Sequence, residues 1–568
     1  MKAQNIPEWD LSDLYTSITD AKIETDKKDI ELKIKLLEKK FKKGSLSSSL
    51  KLYEKINKKL SILGNYAYLI HSANTKDETV SKYYQSTIEY ITDAETKLLW
   101  FQIYLIKCKN KVEGYENYLK KLRVFKPYTL DEDKEVILTK KNQTGHESFV
   151  RFYDQIDSDK NFDGKTYSEV AAVFSSDPDR NKRKKAGQTI QKNLKENSLL
   201  YKFILNTLLL DKKVEDEIRG YTYPQQSTFL SYNVDPKTVE AMSTVILKNY
   251  KVSEKYYLAK SKLLNTKLFE WDRYNDIYPN IKSAVSWIDA KNIVLNSFNS
   301  FSKTFVEEAS KFFDNNWIDA KLSVGKKSGA YCSYVSNSIH PYVFMNFTGE
   351  VRDVETLAHE LGHGVHGVLA KNNNYLDYRP STTTAEIASV FAESLVFDEL
   401  YKLTKSKKEK INLLGNKLQA SFATVFRQNA FYLFETKLHK LRREKGELSE
   451  DNICNLYQKY LQSMFGKGLT LSEDHKYMWM LISHFYHYNF YVFTYSFGEL
   501  LATSLYAIYK RDGQKFVDKY IKALSLGGSK SPLEITKSMG VDITKENFWQ
   551  SGIDLINDQV KEFQELVI

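Results

Sequence analysis

Apolar and charged positions alternate with a near-helical period along most of the chain. Residues 32–41 and 83–106 mix leucine, isoleucine and aromatic residues with lysine and glutamate in this way, which is typical of amphipathic helices. Such helices, separated by short polar turns, are predicted up to about residue 195, and helices continue beyond it. We therefore predict a mainly α protein with an N-terminal helical domain over residues 1–195 and a second domain over residues 196–568.

One stretch, residues 323–349, breaks the helical pattern. Within it, residues 329–335 and 341–348 are short runs rich in aromatic and β-branched side chains, separated by a polar loop. Runs of this kind predict strands, so we expect a β-hairpin or a small sheet here. A helix is predicted to begin near Asp353, directly after this sheet.

Composition narrows the possible classes of protein. The chain has 568 residues but only 9 prolines and 23 glycines, which excludes collagen-like and low-complexity classes. Its net charge of +11 arises from 83 basic and 72 acidic residues. Because lysine lies beside glutamate and aspartate within helices, the charge predicts solvated helix faces and disfavours nucleic acid as a partner. Three cysteines without a Cys-x-x-Cys spacing suit a reducing compartment.

No segment has the pattern of a targeting or membrane-spanning sequence. Residues 1–10 lack the apolar core of a signal peptide. The most apolar long stretch, residues 488–509, contains asparagine, threonine, serine and glutamate, which predicts a buried or channel-lining helix instead of a membrane span. We expect a cytoplasmic protein with no membrane partner.

The most informative motif is His-Glu-x-x-His at residues 359–363. On an α-helix, residues four apart are offset by about 40° and by about 6 Å along the axis, so His359 and His363 face one point and can bind one zinc ion. Glu360 lies about 100° round the helix, free to reach a metal-bound water. His366 shares the histidine face but lies about 10.5 Å along the axis from His359, too far to share the metal. The alternative is an amphipathic helix with two incidental histidines.

A catalytic zinc site with an open water position needs a third protein ligand. Glu386 is the preferred candidate, because it lies early in a helix opening near Thr383 that can pack antiparallel to the first. Its alternative role is that of a capping-box glutamate paired with Thr383. Glu393 shares the face of Glu386 and is predicted to orient a ligating imidazole, unless it is a plain solvent-side carboxylate. Asp377 and Asp398 are weaker alternatives for these roles.

At this point the sequence resembles the thimet oligopeptidase and oligoendopeptidase F family of zinc metallopeptidases. The segment NFTGEVRDVETLAHELGHGVH, residues 346–366, is similar to the family's strand and active-site helix, and AEIAS, residues 385–389, is similar to its third-ligand segment. WDLSDLY at residues 9–15 and LGGSKSPLEI at residues 526–535 resemble the ends of oligoendopeptidase F chains. The resemblance spans essentially the whole chain.

The resemblance implies a two-lobed helical molecule with one zinc ion per chain in a deep channel that admits short unstructured peptides. It implies that His359, His363 and Glu386 are zinc ligands and that Glu360 is the general base.

The family also uses a downstream histidine and tyrosine to hold the substrate and the oxyanion. In the matching stretch, residues 482–495, we assign these roles to His484, Tyr486 and Tyr491, while Phe493 stands where many relatives have tyrosine. Phenol and imidazole groups are suitable hydrogen-bond donors for developing negative charge. The alternative is an aromatic core stripe of a kind common in a chain with 39 tyrosines.

We therefore predict that residues 196–568 form the catalytic domain of a zinc-dependent endopeptidase acting on oligopeptides. The strand over residues 342–347 is expected to offer an edge on which substrate backbone pairs. Two alternatives remain: a zinc carboxypeptidase or dipeptidase, and a non-enzymatic helical scaffold that binds peptides or nucleic acid around a structural metal. The sequence leaves the oligomeric state open.

Overall fold

The computed structural model describes residues 6–42, 44–162, 164–279, 281 and 284–567. Over these residues the chain is mainly helical with a small sheet, which confirms the predicted fold class. The α-helices, in chain order, are α1 (Ala21–Lys42), α2 (Leu46–Ala73), α3 (Glu78–Lys107), α4 (Glu116–Arg123), α5 (Glu132–Asn142), α6 (His146–Ser158), α7 (Tyr167–Ser176), α8 (Arg180–Glu196), α9 (Ser198–Arg219), α10 (Gln226–Ser231), α11 (Pro236–Lys248), α12 (Lys251–Leu263), α13 (Trp287–Phe301), α14 (Lys303–Asp314), α15 (Val351–Leu369), α16 (Tyr375–Tyr378), α17 (Thr382–Leu403), α18 (Lys407–Ser421), α19 (Gln428–Lys445), α20 (Glu450–Phe465), α21 (His484–His487), α22 (Phe493–Asp512), α23 (Gln514–Leu524), α24 (Pro532–Ser538) and α25 (Glu546–Val567).

The helices group into two compact units, each made of three stretches of chain. The first unit comprises Met1–Lys126, Lys282–Lys402 and Ile508–Val541, and the second comprises Pro127–Ile281, Leu403–Ala507 and Asp542–Ile568. The two units are defined by contacts in three dimensions and not by the order of residues along the chain. The sequence boundary at residue 195, between an N-terminal and a catalytic domain, stays a prediction.

The sheet lies in the first unit and has three short strands, β1 (Ile318–Asp319), β2 (Tyr331–Ser333) and β3 (Tyr342–Phe344). Their order is β1-β3-β2, with β1 parallel and β2 antiparallel to β3. The prediction that residues 342–347 offer a free edge is therefore wrong, because β3 is the middle strand. Its partner β1 has only two residues, too few to produce an alternating pattern in the sequence. The outer antiparallel strand is β2.

Apolar helix faces form the cores of the two units. In the first unit, α1, α2 and α3 bury leucine, isoleucine and aromatic residues in one cluster that extends to Tyr342 of β3. In the second unit, α25 packs against α11, α12 and α18. The apolar stretch 488–509 is largely α22, whose side chains Phe493, Phe497 and Leu500 are fully buried. Within the described ranges, none of the helices combines the length and the apolar character needed to cross a membrane.

Candidate metal centre

Helix α15 places the His-Glu-x-x-His residues in the first unit. It begins at Val351, close to the predicted start at Asp353. The carboxylate of Asp353 accepts the backbone N–H groups of residues 348–350 at 2.7–3.1 Å, so the loop after the sheet is tied to the first turn of the helix. The strands β2 and β3 pack against α15. The hydrogen bonds of Asp353 therefore mark the start of α15, and the geometry of the helix sets the spacing of its histidines.

Three side chains from two helices meet at one point. The Nε2 atoms of His359 and His363 lie 3.4 and 3.5 Å from Oε2 of Glu386. One ligand atom from each of the three residues lies within 4.8 Å of the other two, and all three side chains are half-buried. The structure thus brings together the three residues that the sequence nominates as metal ligands.

This donor set fits a zinc ion. Two imidazole nitrogens and a carboxylate oxygen are ligands that zinc accepts, at about 2.0–2.1 Å in tetrahedral geometry. Tetrahedral ligands at that distance are about 3.4 Å from one another, close to the 3.4 and 3.5 Å found between Glu386 and the histidines. Three ligands leave one tetrahedral position for water.

A glycine allows α17 to approach α15 closely enough for Glu386 to reach the histidines. A Cβ atom at Gly362 would lie 2.6 Å from the carbonyl oxygen of Ala388 and 2.7 Å from Cα of Ser389, both on α17. Real side chains do not tolerate such distances, so the helix contact at this position requires glycine. Ser389 also donates its hydroxyl to Oε2 of Glu386 at 2.6 Å.

The structure does not form the alternative capping box at Glu386. Helix α17 begins at Thr382, and the Ser381 hydroxyl interacts there with the hydroxyls of Thr383 and Thr384 at 3.0 and 2.9 Å. Glu386 instead points towards the two histidines and Ser389, so its carboxylate is available as a ligand.

Glu393 lies against the far side of His359. Its Oε1 is 2.5 Å from Nδ1 of His359. A proton on Nδ1 that is donated to this carboxylate leaves the lone pair of Nε2 directed at the metal position. Burial lowers the pKa of His359, but the hydrogen bond and charge of Glu393, with the charges of Glu386 and Glu360, outweigh it and raise the pKa to about 10. The metal-free imidazole is therefore protonated on both nitrogens near neutral pH, and a metal would bind Nε2 in exchange for its proton.

Glu360 is a buried carboxyl beside the ligands. It is 6% exposed, and its Oε2 atom has no hydrogen-bond partner among the described residues. Burial raises its pKa to about 7, with His359 lowering it and the carboxylates of Glu386 and Glu393 raising it further. A carboxyl group with such a pKa can both take up and release a proton near neutral pH.

The other candidate residues of the first unit have different surroundings. His366 is 2% exposed, and burial and the nearby His363 lower its pKa to about 3, which fits a side chain packed in the core. Asp377 pairs with Lys121 at 2.7 Å, and Asp398 pairs with Lys510 at 2.7 Å. These two carboxylates therefore serve ion pairs, and the structure favours Glu386 and Glu393 over them.

The residues predicted to bind substrate, His484, Tyr486 and Tyr491, lie in the second unit in two different environments. The ring of Tyr486 stacks on Tyr153 with centroids 3.9 Å apart, and its hydroxyl is buried without a hydrogen-bond partner among the described residues. The core position of Tyr486 disfavours the predicted role of its phenol as a donor to substrate.

His484 and Tyr491 instead form a half-buried cluster with Tyr495. Nε2 of His484 lies 3.0 Å from the hydroxyl of Tyr495, and the His484 ring stacks on Tyr491 with centroids 5.6 Å apart. Tyr495 is not among the predicted site residues, although it follows Tyr491 at the four-residue spacing that is typical of one helix face. Phe493, two residues before it, is fully buried. We refer to these three residues as the His484–Tyr491–Tyr495 cluster.

Comparison with known proteins gives two family matches. The model of peptidase family M3 matches residues 173–555, and a model described as oligopeptidase F matches residues 105–162. The first match includes all the residues of the candidate metal centre.

Curated relatives match along nearly the whole chain. Oligoendopeptidase F (plasmid) of Lactococcus lactis subsp. cremoris is 26% identical over 99% of this chain and 98% of its own length. Oligopeptidase PepF of Bacillus subtilis is 24% identical over 92% of this chain and 81% of its own length.

Solved structures share the fold. A Chlamydophila abortus protein described as a peptidase superposes with a TM-score of 0.88 at 23% identity, covering 100% of this chain and 99% of that one. Oligoendopeptidase F from Enterococcus faecium superposes with a TM-score of 0.71 at 18% identity, covering 96% of this chain and 99% of that one. At these identities the likeness shows the fold. The family match over residues 173–555 confirms the predicted resemblance, and the chain belongs to peptidase family M3.

Proposed function

We propose that this protein is a zinc-dependent oligoendopeptidase that hydrolyses internal peptide bonds of short unstructured peptides. The observation that supports it most directly is the triangle of donor atoms from His359, His363 and Glu386, whose 3.4 and 3.5 Å separations suit tetrahedral zinc. Membership of a peptidase family supports the reaction class. One zinc ion per chain is the expected content.

Glu360 is proposed to carry the proton during hydrolysis. When bound, zinc lowers the pKa of a coordinated water and polarises the scissile carbonyl. The Glu360 carboxylate accepts a proton as water attacks and passes one to the leaving amine. Its burial, which raises its pKa to about 7, suits both steps.

Hydrogen bonds hold the proposed metal ligands in place. Glu393 holds the Nδ1 proton of His359, and the Ser389 hydroxyl holds Glu386. Both contacts orient the side chains that would bind the metal.

We further propose that the His484–Tyr491–Tyr495 cluster donates hydrogen bonds to the substrate and to the negative charge on the scissile carbonyl oxygen. The family resemblance supports His484 and Tyr491, and the 3.0 Å contact with His484 adds Tyr495. The proposed pairing of substrate backbone moves from β3 to β2, because β2 is an outer strand of the sheet.

Metal content and activity of the Glu360→Gln variant test this function. Glutamine has nearly the same shape but cannot accept the water proton, so we expect one bound zinc ion and a loss of kcat of about 10³-fold or more on a quenched peptide. A variant that turns over at the wild-type rate would refute the general-base role. Wild-type activity that survives complete removal of metal would refute the zinc mechanism.

Product mapping separates the proposal from a carboxypeptidase or dipeptidase. A peptide that is acetylated at its N-terminus and amidated at its C-terminus has no free end to recognise. Internal cleavage of such a peptide, detected by mass spectrometry, supports an endopeptidase, and cleavage only of peptides with a free end contradicts it. The cytoplasmic location and the absence of nucleic-acid and membrane partners stay predictions.

A further inference from the structure

A left-handed backbone occurs at a buried phenylalanine directly before Tyr491. Phe490 has a φ of +57° and is 0% exposed. The other described non-glycine residues with positive φ are all asparagines, at positions 233, 265 and 316. Asparagine tolerates this conformation, whereas a bulky side chain adopts it only where surrounding contacts impose it. Contacts around Phe490 must therefore hold its backbone.

One of these contacts comes from a glutamate on α19. The backbone N–H of Phe490 donates to Oε1 of Glu435 at 2.6 Å, and the Phe490 ring lies over His439, one turn further along α19, with centroids 4.5 Å apart. The preceding carbonyl, that of Asn489, accepts the hydroxyl of Thr228 at 3.0 Å. The segment between α21 and α22 is thus fixed at two successive residues.

The stability of the fold does not by itself explain a carboxyl group at this position. Glu435 is 3% exposed, and its Oε2 atom has no hydrogen-bond partner among the described residues. Burial raises its pKa to about 8, although the Phe490 N–H lowers it. A buried acceptor that is only half satisfied costs stability. A carboxyl group at residue 435 is better explained by its role as the hydrogen-bond acceptor of the Phe490 N–H.

We propose that Glu435 is a positioning residue: by accepting the Phe490 N–H, it fixes the left-handed turn that directs Tyr491 into the His484–Tyr491–Tyr495 cluster. Because Tyr491 follows Phe490 directly, a change of the Phe490 backbone into the right-handed region would turn the Tyr491 side chain away from His484. The inference rests on the function proposed for this cluster.

Three variants test the role of Glu435 in turnover. Glu435→Leu removes the acceptor and keeps much of the volume, whereas Glu435→Gln keeps an acceptor oxygen. Leu438→Ala, at a position on α19 that is 1% exposed, is the matched control for lost core packing. We expect Glu435→Leu to lower kcat by about tenfold or more with little change in KM, and Glu435→Gln to stay within about twofold of wild type. Leu438→Ala should lower Tm and leave kcat unchanged.

Hydrogen exchange supplies a readout of position that does not depend on activity. In Glu435→Leu, the amides of residues 488–492 should exchange about tenfold faster, and in Glu435→Gln they should stay protected. Unchanged exchange in Glu435→Leu would overturn the proposal, as would a loss of kcat that only follows the loss of Tm seen in Leu438→Ala. Faster exchange with wild-type kcat would overturn the role in the reaction.

The cluster itself is tested in the same assay. Loss of activity in Tyr491→Phe and His484→Ala supports the function proposed for the cluster. Full activity in both variants would refute that function, and the inference with it. The function proposed for the cluster is tested with the Tyr491 and His484 variants, and the role of Glu435 is tested with Glu435→Leu. A failure of one proposal is therefore distinguishable from a failure of the other.

Discussion

Replacing Gly362 by alanine should weaken zinc binding without touching a ligand. A Cβ atom at this position would lie 2.6 Å from the Ala388 carbonyl oxygen and 2.7 Å from Cα of Ser389. Both contacts are with the backbone of α17, which cannot move aside as a side chain can. Relief to ordinary contact distance requires α17 to shift by roughly 0.7 Å relative to α15. Glu386 lies two residues before Ala388 and shifts with it.

The size of the effect follows from these distances. Overpacking a helix contact costs about 1–3 kcal/mol, while alanine in a helix interior gains up to about 1 kcal/mol over glycine. We expect a net loss of about 0–2 kcal/mol in the free energy of unfolding of the metal-free protein. Zinc ligands tolerate displacements of about 0.2 Å, so the shift of Glu386 should lower zinc affinity by about 10- to 100-fold.

Competition with a chromophoric chelator measures the affinity, and urea unfolding of the metal-free protein measures stability. Gly415→Ala is the matched control, because its new Cβ would meet its nearest neighbours at 3.5 Å, in the interior of α18. This variant should keep wild-type zinc affinity, and its free energy of unfolding should rise by up to about 1 kcal/mol. Wild-type zinc affinity in Gly362→Ala would refute the argument that the approach of α17 sets the metal site.

Three further changes have expected outcomes. Glu393→Gln keeps an acceptor for Nδ1 of His359 but removes the charge, so zinc affinity should fall by about tenfold in the chelator competition; an unchanged affinity would exclude a role of Glu393 in orienting His359. Tyr486→Phe removes only a buried hydroxyl without a described partner and should leave kcat unchanged, whereas Tyr495→Phe should lower it by about tenfold or more; the reverse result in peptide hydrolysis would restore the original assignment. The pKa of Glu435, about 8 in the folded protein against 4.5 for an ordinary glutamate, means that its contribution to stability is complete below about pH 4.5 and is lost as the pH rises through about 8. Urea unfolding should therefore show wild-type stability falling, relative to Glu435→Gln, by up to about 1.4 kcal/mol per pH unit between about pH 5 and 8, and parallel curves would contradict this.

Local spacing in the sequence determined the mainly helical fold and the two histidines of the metal centre. His359 and His363 converge because four residues make about one turn of α15, and that relation needs no knowledge of the rest of the chain. The same geometry places Glu360 about 100° round the helix from His359. The break in helical pattern over residues 323–349 likewise indicated the small sheet, because strands and helices have different periods.

Contacts between distant segments decided the rest. Glu386 becomes a ligand candidate because Gly362 lets two helix backbones approach, and β3 loses its free edge to a two-residue strand with no pattern of its own. Packing also buries Tyr486 and Phe493 while Tyr495 joins His484, although all three are aromatic residues within one stretch. Which face of a helix is covered depends on its neighbours in the fold, and spacing along the chain carries no information about them. For the same reason, only the tertiary structure reveals the contact of Glu435 with Phe490, 55 residues away.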